Sequence, residues 1–283
     1  MGKTPAVSSG DDVSADRPTP PVVQPATVHR VMRGGGGIDR IETLAEEVPV
    51  ALVYNGVSHA VMMASPADLK DFALGFTLSE GIAESAAEIG EIHPVVLEAG
   101  IEIQVQLSGR AEWRLKDRRR NLTGRTGCGI CGVDSLEQAI RPMTPVVSHL
   151  QVSMEAIYRA LDALPQAQQH NRVARSLHAA AFCDAKGKIV LVREDVGRHN
   201  ALDKLIGAMV TAKVDPAAGF AIITSRCSVE MVQKAVIAGI PVLVAVSAPT
   251  LMARRLADDN NLTLVALARV DGALVICHGE RIV

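Results

Sequence analysis

From about residue 176 onward, short apolar runs alternate with amphipathic helical patterns, and this restricts the chain to few architectures. Lys188–Val192 reads as a short strand and Asn200–Met209 as a helix. Gly219–Thr224 is a strand, Ser228–Ala238 a helix closed by Gly239, and Pro241–Val246 a strand again. Pro249–Ala257 gives another helix, followed by strands at Thr263–Leu267 and Ala273–Cys277 joined through Asp271-Gly272. Alternation of this kind specifies an α/β layered domain, with helices packed on a largely buried sheet.

Upstream the pattern is less regular. Residues 1 to about 27 are rich in Pro, Ser, Asp and Thr without an apolar period, and Gly34–Gly37 would hinge freely. The reading is a disordered segment over 1–37, an α+β portion over 38–150, and the α/β domain over 151–283. Ile38–Val57 suggests two strands joined through Glu46-Glu47, with a turn at Asn55-Gly56. Ser65 fits an N-cap and Pro66 the first helical position, ahead of Leu69, Phe72, Ala73 and Phe76 on one face and Gly81 at the end. Residues 94–115 alternate in places and suggest strands, and Ser153 fits the cap of a helix that Pro165 stops.

Composition excludes several classes. A net charge of -2 gives no general attraction to nucleic acid or anionic membrane. No apolar run approaches the length of a membrane-spanning helix, and the N-terminus lacks the apolar core of a secretory signal. Of five cysteines, Cys183, Cys227 and Cys277 stand singly in apolar surroundings, which fits a reducing compartment better than a disulfide framework. The aromatic share is 2%, so the core is built mainly from Ala, Val, Leu and Ile.

The other two cysteines form Gly127-Cys128-Gly129-Ile130-Cys131-Gly132. A basic run precedes them (Arg110, Arg114, Lys116, Arg118, Arg119, Arg120, Arg125), and Ser135 with Gln138 fits a capping box downstream. Positive charge and a helix N-terminus both favour thiolate, but the dipole contributes only about 0.3–1 kcal/mol, so the arginines carry most of any activation. Zinc requires about four ligands, and no second C-x-x-C or spaced histidine pair is present. Redox and sulfur-carrier readings of the pair both remain. Three successive strand ends are also polar: Arg193–Asn200, Thr224–Ser228 and Ser247–Thr250. Repetition at the carboxyl ends of strands points to a shared cleft, with an anionic group at helix N-termini. His178, among small apolar residues, reads as a packed histidine, and Met62, Met63, Met231 and Met252 as core filler.

Together these residues resemble the formate dehydrogenase accessory sulfurtransferase family, FdhD. The resemblance covers most of the chain from about residue 40. It rests on Asp71-Phe72-Ala73-Leu74-Gly75-Phe76 with Ser79-Glu80-Gly81, Cys128-Gly129-Ile130-Cys131-Gly132, Arg193 through Lys204, Ser225-Arg226 through Lys234, and Ser247-Ala248-Pro249. It implies a cytoplasmic homodimer with a cytidine-deaminase-like α/β/α sandwich, a mixed sheet, and a smaller N-terminal β-rich portion. It also implies sulfur taken from a cysteine desulfurase as a persulfide on Cys128, with Cys131 assisting or resolving. Delivery would be to bis-molybdopterin guanine dinucleotide, the molybdenum cofactor of the formate dehydrogenase catalytic subunit, which GDP would mimic. The implied cofactor segment is Leu267-Ala268-Arg269-Val270-Asp271-Gly272, joined by Arg198, His199, Ser225 and Arg226, with no metal held by side chains. Arg175-Ser176-Leu177 and Thr224-Ser225-Arg226 depart from the family's usual Thr-Gly-Gly and Ser-Gly-Arg. The deaminase zinc signature is absent, so no deaminase activity is expected. Other functional classes compatible with the pair are a thiol–disulfide oxidoreductase and a non-catalytic chaperone that binds the cofactor.

Overall fold

The computed structural model describes residues 17–122, 142–269 and 271–283. Cys128, Cys131, the helix expected near Ser135, and Val270 lie outside the described residues.

The chain begins with an antiparallel ribbon, β1 (Val23–Val31) paired with β2 (Gly37–Ala45). The first of these strands lies within the segment that composition marked as disordered. Thr27, Val28 and Val31 in β1 and Ile38 and Ile41 in β2 supply the β-branched residues that favour a strand. A four-stranded sheet follows, in the order β4-β3-β6-β5: β3 (Val48–Tyr54), β4 (Val57–Ala64), β5 (Ile89–Leu97) and β6 (Gly100–Leu107). Asn55 and Gly56 both take positive φ (47° and 80°), which a two-residue hairpin turn between twisted strands requires. Val50, Leu52, Tyr54, Ile101, Ile103 and Val105 turn one face of this sheet onto α1 (Leu69–Ser79) and α2 (Gly109–Leu122).

Two local expectations fail here. The first helix starts at Leu69 behind Asp68, not behind Ser65. Ser65 is instead drawn into long-range bonds: its N–H donates to Asp195 at 3.0 Å and its hydroxyl accepts from the Val196 N–H at 3.1 Å. Residues 109–115 are helical rather than extended. The alternation ends at Leu107, and Glu112 then pairs with Lys116 one helical turn on.

The second half is a six-stranded mixed sheet in the order β12-β11-β10-β9-β7-β8. Its strands are β7 (His178–Asp184), β8 (Ile189–Asp195), β9 (Gly219–Ile223), β10 (Val242–Ala245), β11 (Thr263–Arg269) and β12 (Gly272–Cys277). All five residues of β9 are buried, as a central strand covered on both faces requires. Phe220 and Ile222 face α3 (Met154–Ala167), whereas Ala221 and Ile223 face α5 (Arg198–Thr211), α6 (Val229–Ile237) and α7 (Leu251–Asp259). Ser153 caps α3 as expected, accepting from the Ala156 N–H at 3.2 Å, although the helix continues past Pro165 to Ala167. A one-turn helix, α4 (Asn171–Ala174), lies beside the ribbon. The result is the expected α/β/α layering with a mixed sheet, plus a smaller β-rich N-terminal portion.

The two portions join where α1 crosses α5. A Cβ on Gly75 would lie 1.8 Å from the Asp203 carbonyl oxygen, and one on Gly207 would lie 2.0 Å from that of Asp71. The helices therefore touch backbone to backbone. Lys204 on α5, fully buried, pairs with Asp195 at 2.6 Å and donates to the Ser65 carbonyl at 2.9 Å. Lys234 on α6 donates to Asp203 on α5 (2.8 Å) and to Ser79 and Glu80 at the end of α1 (2.9 and 2.8 Å). Each ammonium is neutralised inside the protein, without which its burial would be prohibitive.

Candidate functional site

The direction of the strands decides which loops share an edge. β9, β10 and β11 pair parallel, whereas β7 is antiparallel to both β9 and β8. Hence β8, β9, β10 and β11 all end at one edge of the sheet, where β7 and β12 begin. From this edge start α5 behind Gly197, α6 behind Ser228 and α7 behind Thr250. The Thr250 hydroxyl accepts from the Ala253 N–H at 3.1 Å, and the remaining orphan N–H groups of three helices point to the same side. The three polar strand ends read from the sequence therefore do lie along one edge.

The functional residues implied by the sequence divide sharply here. Arg193 is bound to Asp71 on α1 through Nε at 2.9 Å and Nη2 at 2.7 Å, so it ties β8 to the N-terminal portion. Glu194 accepts from the His170 and Asn171 N–H groups (2.9 and 2.7 Å) and so anchors the start of α4. Asp195 accepts from Ser65, Gly197 and the Asn200 side chain besides Lys204. These three charges hold the scaffold rather than a ligand.

Arg198 and His199, in the first turn of α5, remain at the edge. The Arg198 Nε is buried without a hydrogen-bond partner. Burial, Arg198 and Lys234 push the His199 imidazole down to about 4, against a weaker pull from Glu230, so it is neutral. His178, at the start of β7, sits across the ladder from Asp195. Its imidazole is also held below the ordinary histidine range by burial and Arg198, with Asp195 opposing. His178 reads from its apolar neighbours as a packed histidine; it is half-buried, and the antiparallel register of β7 and β8 sets it at the edge.

Ser225 is buried and donates to the Arg226 carbonyl at 3.0 Å, shaping the turn from which the exposed Arg226 projects. The next loop is stitched alongside: Cys227 and Pro249 form a bridge, and the Leu267 N–H donates to the Ser247 carbonyl at 3.3 Å. Leu267 takes φ +50°, a left-handed backbone that costs a leucine about 1–2 kcal/mol. It stands in a bulge between Ala266 and Arg269. Ala268 turns into the core, whereas Leu267, Arg269 and Asp271 are exposed and Gly272 opens β12. Arg198, Arg226 and Arg269 thus stand at the carboxyl ends of β8, β9 and β11 along one edge, with planar guanidinium groups suited to phosphate oxygens.

The described cysteines do not belong to this chemistry. Burial pushes the thiols of Cys183 and Cys227 up to about 12, and that of Cys277 up as well. All three stay protonated near neutral pH. Among the described residues no group of three or more His, Cys, Asp or Glu side chains is placed to hold a metal ion. No described helix is long and apolar enough to cross a membrane.

Comparison with known proteins agrees with this architecture. A sulfur carrier protein FdhD from Bordetella petrii is 48% identical over 259 residues, spanning 91% of this chain and 93% of that protein. One from Cupriavidus necator is 48% identical over 263 residues, spanning 93% and 91%. The crystal structure of a candidate formate dehydrogenase accessory protein from Desulfotalea psychrophila superposes with a TM-score of 0.76 at 24% identity. That match covers 93% of this chain and 100% of that one. The sequence model of the FdhD/NarQ family matches residues 45–283, the span that holds both sheets and the polar edge. The chain belongs to the FdhD/NarQ family.

Proposed function

We propose that this chain is a sulfur carrier that serves a formate dehydrogenase. In this reading Cys128 accepts sulfur from a cysteine desulfurase and passes it to the molybdenum cofactor, bis-molybdopterin guanine dinucleotide, as substrate. The Cys128 thiolate attacks the outer sulfur of the donor's persulfide, and the donor cysteine leaves as thiolate. Attack by the Cys131 thiolate on the inner sulfur of the Cys128 persulfide then releases the outer sulfur as sulfide for molybdenum. That step leaves a Cys128–Cys131 disulfide, which a cellular thiol reduces. The cofactor's pyrophosphates lie at the polar sheet edge against Arg198, Arg226 and Arg269, with Ser225, His199, Leu267, Ala268, Val270, Asp271 and Gly272 around them. The protein works in the cytoplasm as a homodimer.

The observation that best supports this reading is the convergence of three helix N-termini and three arginines on one edge. It coincides with the burial of Cys183 and Cys227 and the raised pKa of the half-buried Cys277, which leaves Cys128 and Cys131 for the sulfur chemistry. The names of the relatives point the same way. The test is an intact mass spectrum after incubation with a cysteine desulfurase and cysteine, followed by peptide mapping. One added sulfur on the Cys128 peptide, lost on reduction and absent in Cys128→Ala, is expected. An unmodified Cys128 while the desulfurase turns over would leave a cofactor-binding chaperone as the better reading.

A further inference from the structure

The ribbon β1–β2 stands apart from both sheets. Its nine pairs run about 30 Å, yet among the described residues it joins no third strand. A two-stranded ribbon of this kind is marginal by itself in water. It also leaves large apolar side chains in solvent, with Val31 73% and Ile41 74% exposed, and Met32, Ile38 and Leu44 exposed as well. The register puts Val31 and Ile41 on one face and Ile38 and Leu44 on the other. Its contact with α4 therefore leaves apolar surface on both sides. Such a patch marks an interaction surface.

The charges on the ribbon say what covers it. His29 is paired with Asp39, and Arg40 with Glu42. What remains is sorted by position. Arg30 and Arg33 lie at the tip, where Met32 and Gly36 close the turn, and neither has an ion-pair partner among the described residues. Glu46 and Glu47 lie at the base, where the Glu46 N–H donates to the Val22 carbonyl; the Glu46 carboxylate accepts from two neutral donors, the Gln24 side chain and the Glu47 N–H, and has no cation beside it among the described residues. The ribbon is thus positive at one end and negative at the other, separated by its own length. A second ribbon laid against it head to tail matches every unpaired charge, as a two-fold contact between identical surfaces requires.

We infer that the β1–β2 ribbon is the arm by which two copies of this chain associate, with the Arg30/Arg33 tip of each against the Glu46/Glu47 base of the other. The proposal rests on the two-copy assembly in the preceding reading and assigns it a surface.

Sedimentation velocity of the full chain over a concentration series tests it. A species of twice the 29.9 kDa chain mass is expected. Ile41→Asp, at an exposed position, should weaken association at least about tenfold. Arg30→Glu/Arg33→Glu should do the same, as should Glu46→Arg/Glu47→Arg, since each sets like charges against each other. Mixing those two double variants, or combining all four changes in one chain, should restore the dimer, because tip and base become opposite again. Recovery of this kind cannot come from a folding defect. A dimer indifferent to Ile41→Asp and to both charge reversals would overturn the arm while leaving the two-copy assembly intact. A wild-type chain that sediments as a monomer would overturn both and assign the ribbon to a different protein. Neither result bears on sulfur loading of Cys128, which the mass spectrum reads separately.

Discussion

Replacing Gly75 by alanine tests whether the α1–α5 crossing sets the relation between the two portions of the chain. In an ordinary helix the change favours folding by about 1 kcal/mol, because glycine has more backbone freedom to lose. Here the new Cβ would lie 1.8 Å from the Asp203 carbonyl oxygen and 2.8 Å from the Gly207 nitrogen. A carbon–oxygen contact settles near about 3.3 Å, so the helices must separate by about 1.5 Å. Both obstacles are backbone and cannot rotate aside. A gap of about 0.5–1 Å already forfeits a quarter to a half of the dispersion energy across an interface. Overpacking of this kind costs about 1–3 kcal/mol, and the backbone contact places Gly75→Ala at the upper end, so we expect a net loss of about 2 kcal/mol. In a domain of this size that corresponds to a Tm lower by roughly 4–8 °C in a thermal melt. Gly109→Ala, at the start of α2 with nothing within 4 Å of the added carbon, is the control and should leave Tm level or slightly raised. If Gly75→Ala melts at or above the wild-type temperature, the helices are not held by this contact and the reasoning fails.

Three further outcomes follow from the polar interior and the thiols. Lys204→Met strands the fully buried Asp195 without a cation and should destabilise the chain by about 3–5 kcal/mol in urea unfolding, with part regained on adding Asp195→Asn. An unchanged midpoint would show that Asp195 does not depend on the lysine. His199 titrates near 4 in the folded chain, below its ordinary value of 6.5, so unfolding takes up a proton as pH falls between those values. Stability present above pH 6.5 is therefore lost towards pH 4, and the decline should be shallower in His199→Gln; equal slopes would remove His199 from the account. Alkylation of the native chain at pH 8, read by peptide mapping, should label Cys128 and Cys131 while sparing Cys183 and Cys227, whose thiols are pushed up to about 12. Labelling of Cys227 at a similar rate would contradict its burial.

The βα units were legible because each rests on neighbours in sequence. The periodicity of Leu202, Leu205, Ile206 and Met209, or of Met231, Val232 and Ala235, marks a helix face without knowledge of its partner. Caps within one turn, such as Ser153, were legible for the same reason. Ser65 was misread because its partners, Asp195 and Val196, are remote in the chain. The cluster at Arg193–Lys204 could be seen as unusual, but its division between scaffold and cleft depends on Asp71, Ser65 and His170, which only the fold brings near. Half of the ribbon was legible, since β2 is the first of the two strands expected to join through Glu46-Glu47, whereas β1 escaped notice because Pro and polar residues dominate the composition around it. The edge shared by Ser225, Ser247 and Leu267 was anticipated from three polar strand ends, whereas His178 entered it through a register that no local pattern encodes.

The crossing of α1 and α5 also limits how this chain can be inherited. Buried charges on one side of residue 150 are answered by groups on the other: Lys204 by the Ser65 carbonyl, and Lys234 by Ser79 and Glu80. A half borrowed from a distant relative would meet the wrong residues at Gly75, Gly207 and both lysines together. The two portions are thus bound to evolve as a pair: recombination between divergent relatives near residue 150 should yield insoluble chimeras, whereas exchange of the β1–β2 ribbon alone should be tolerated.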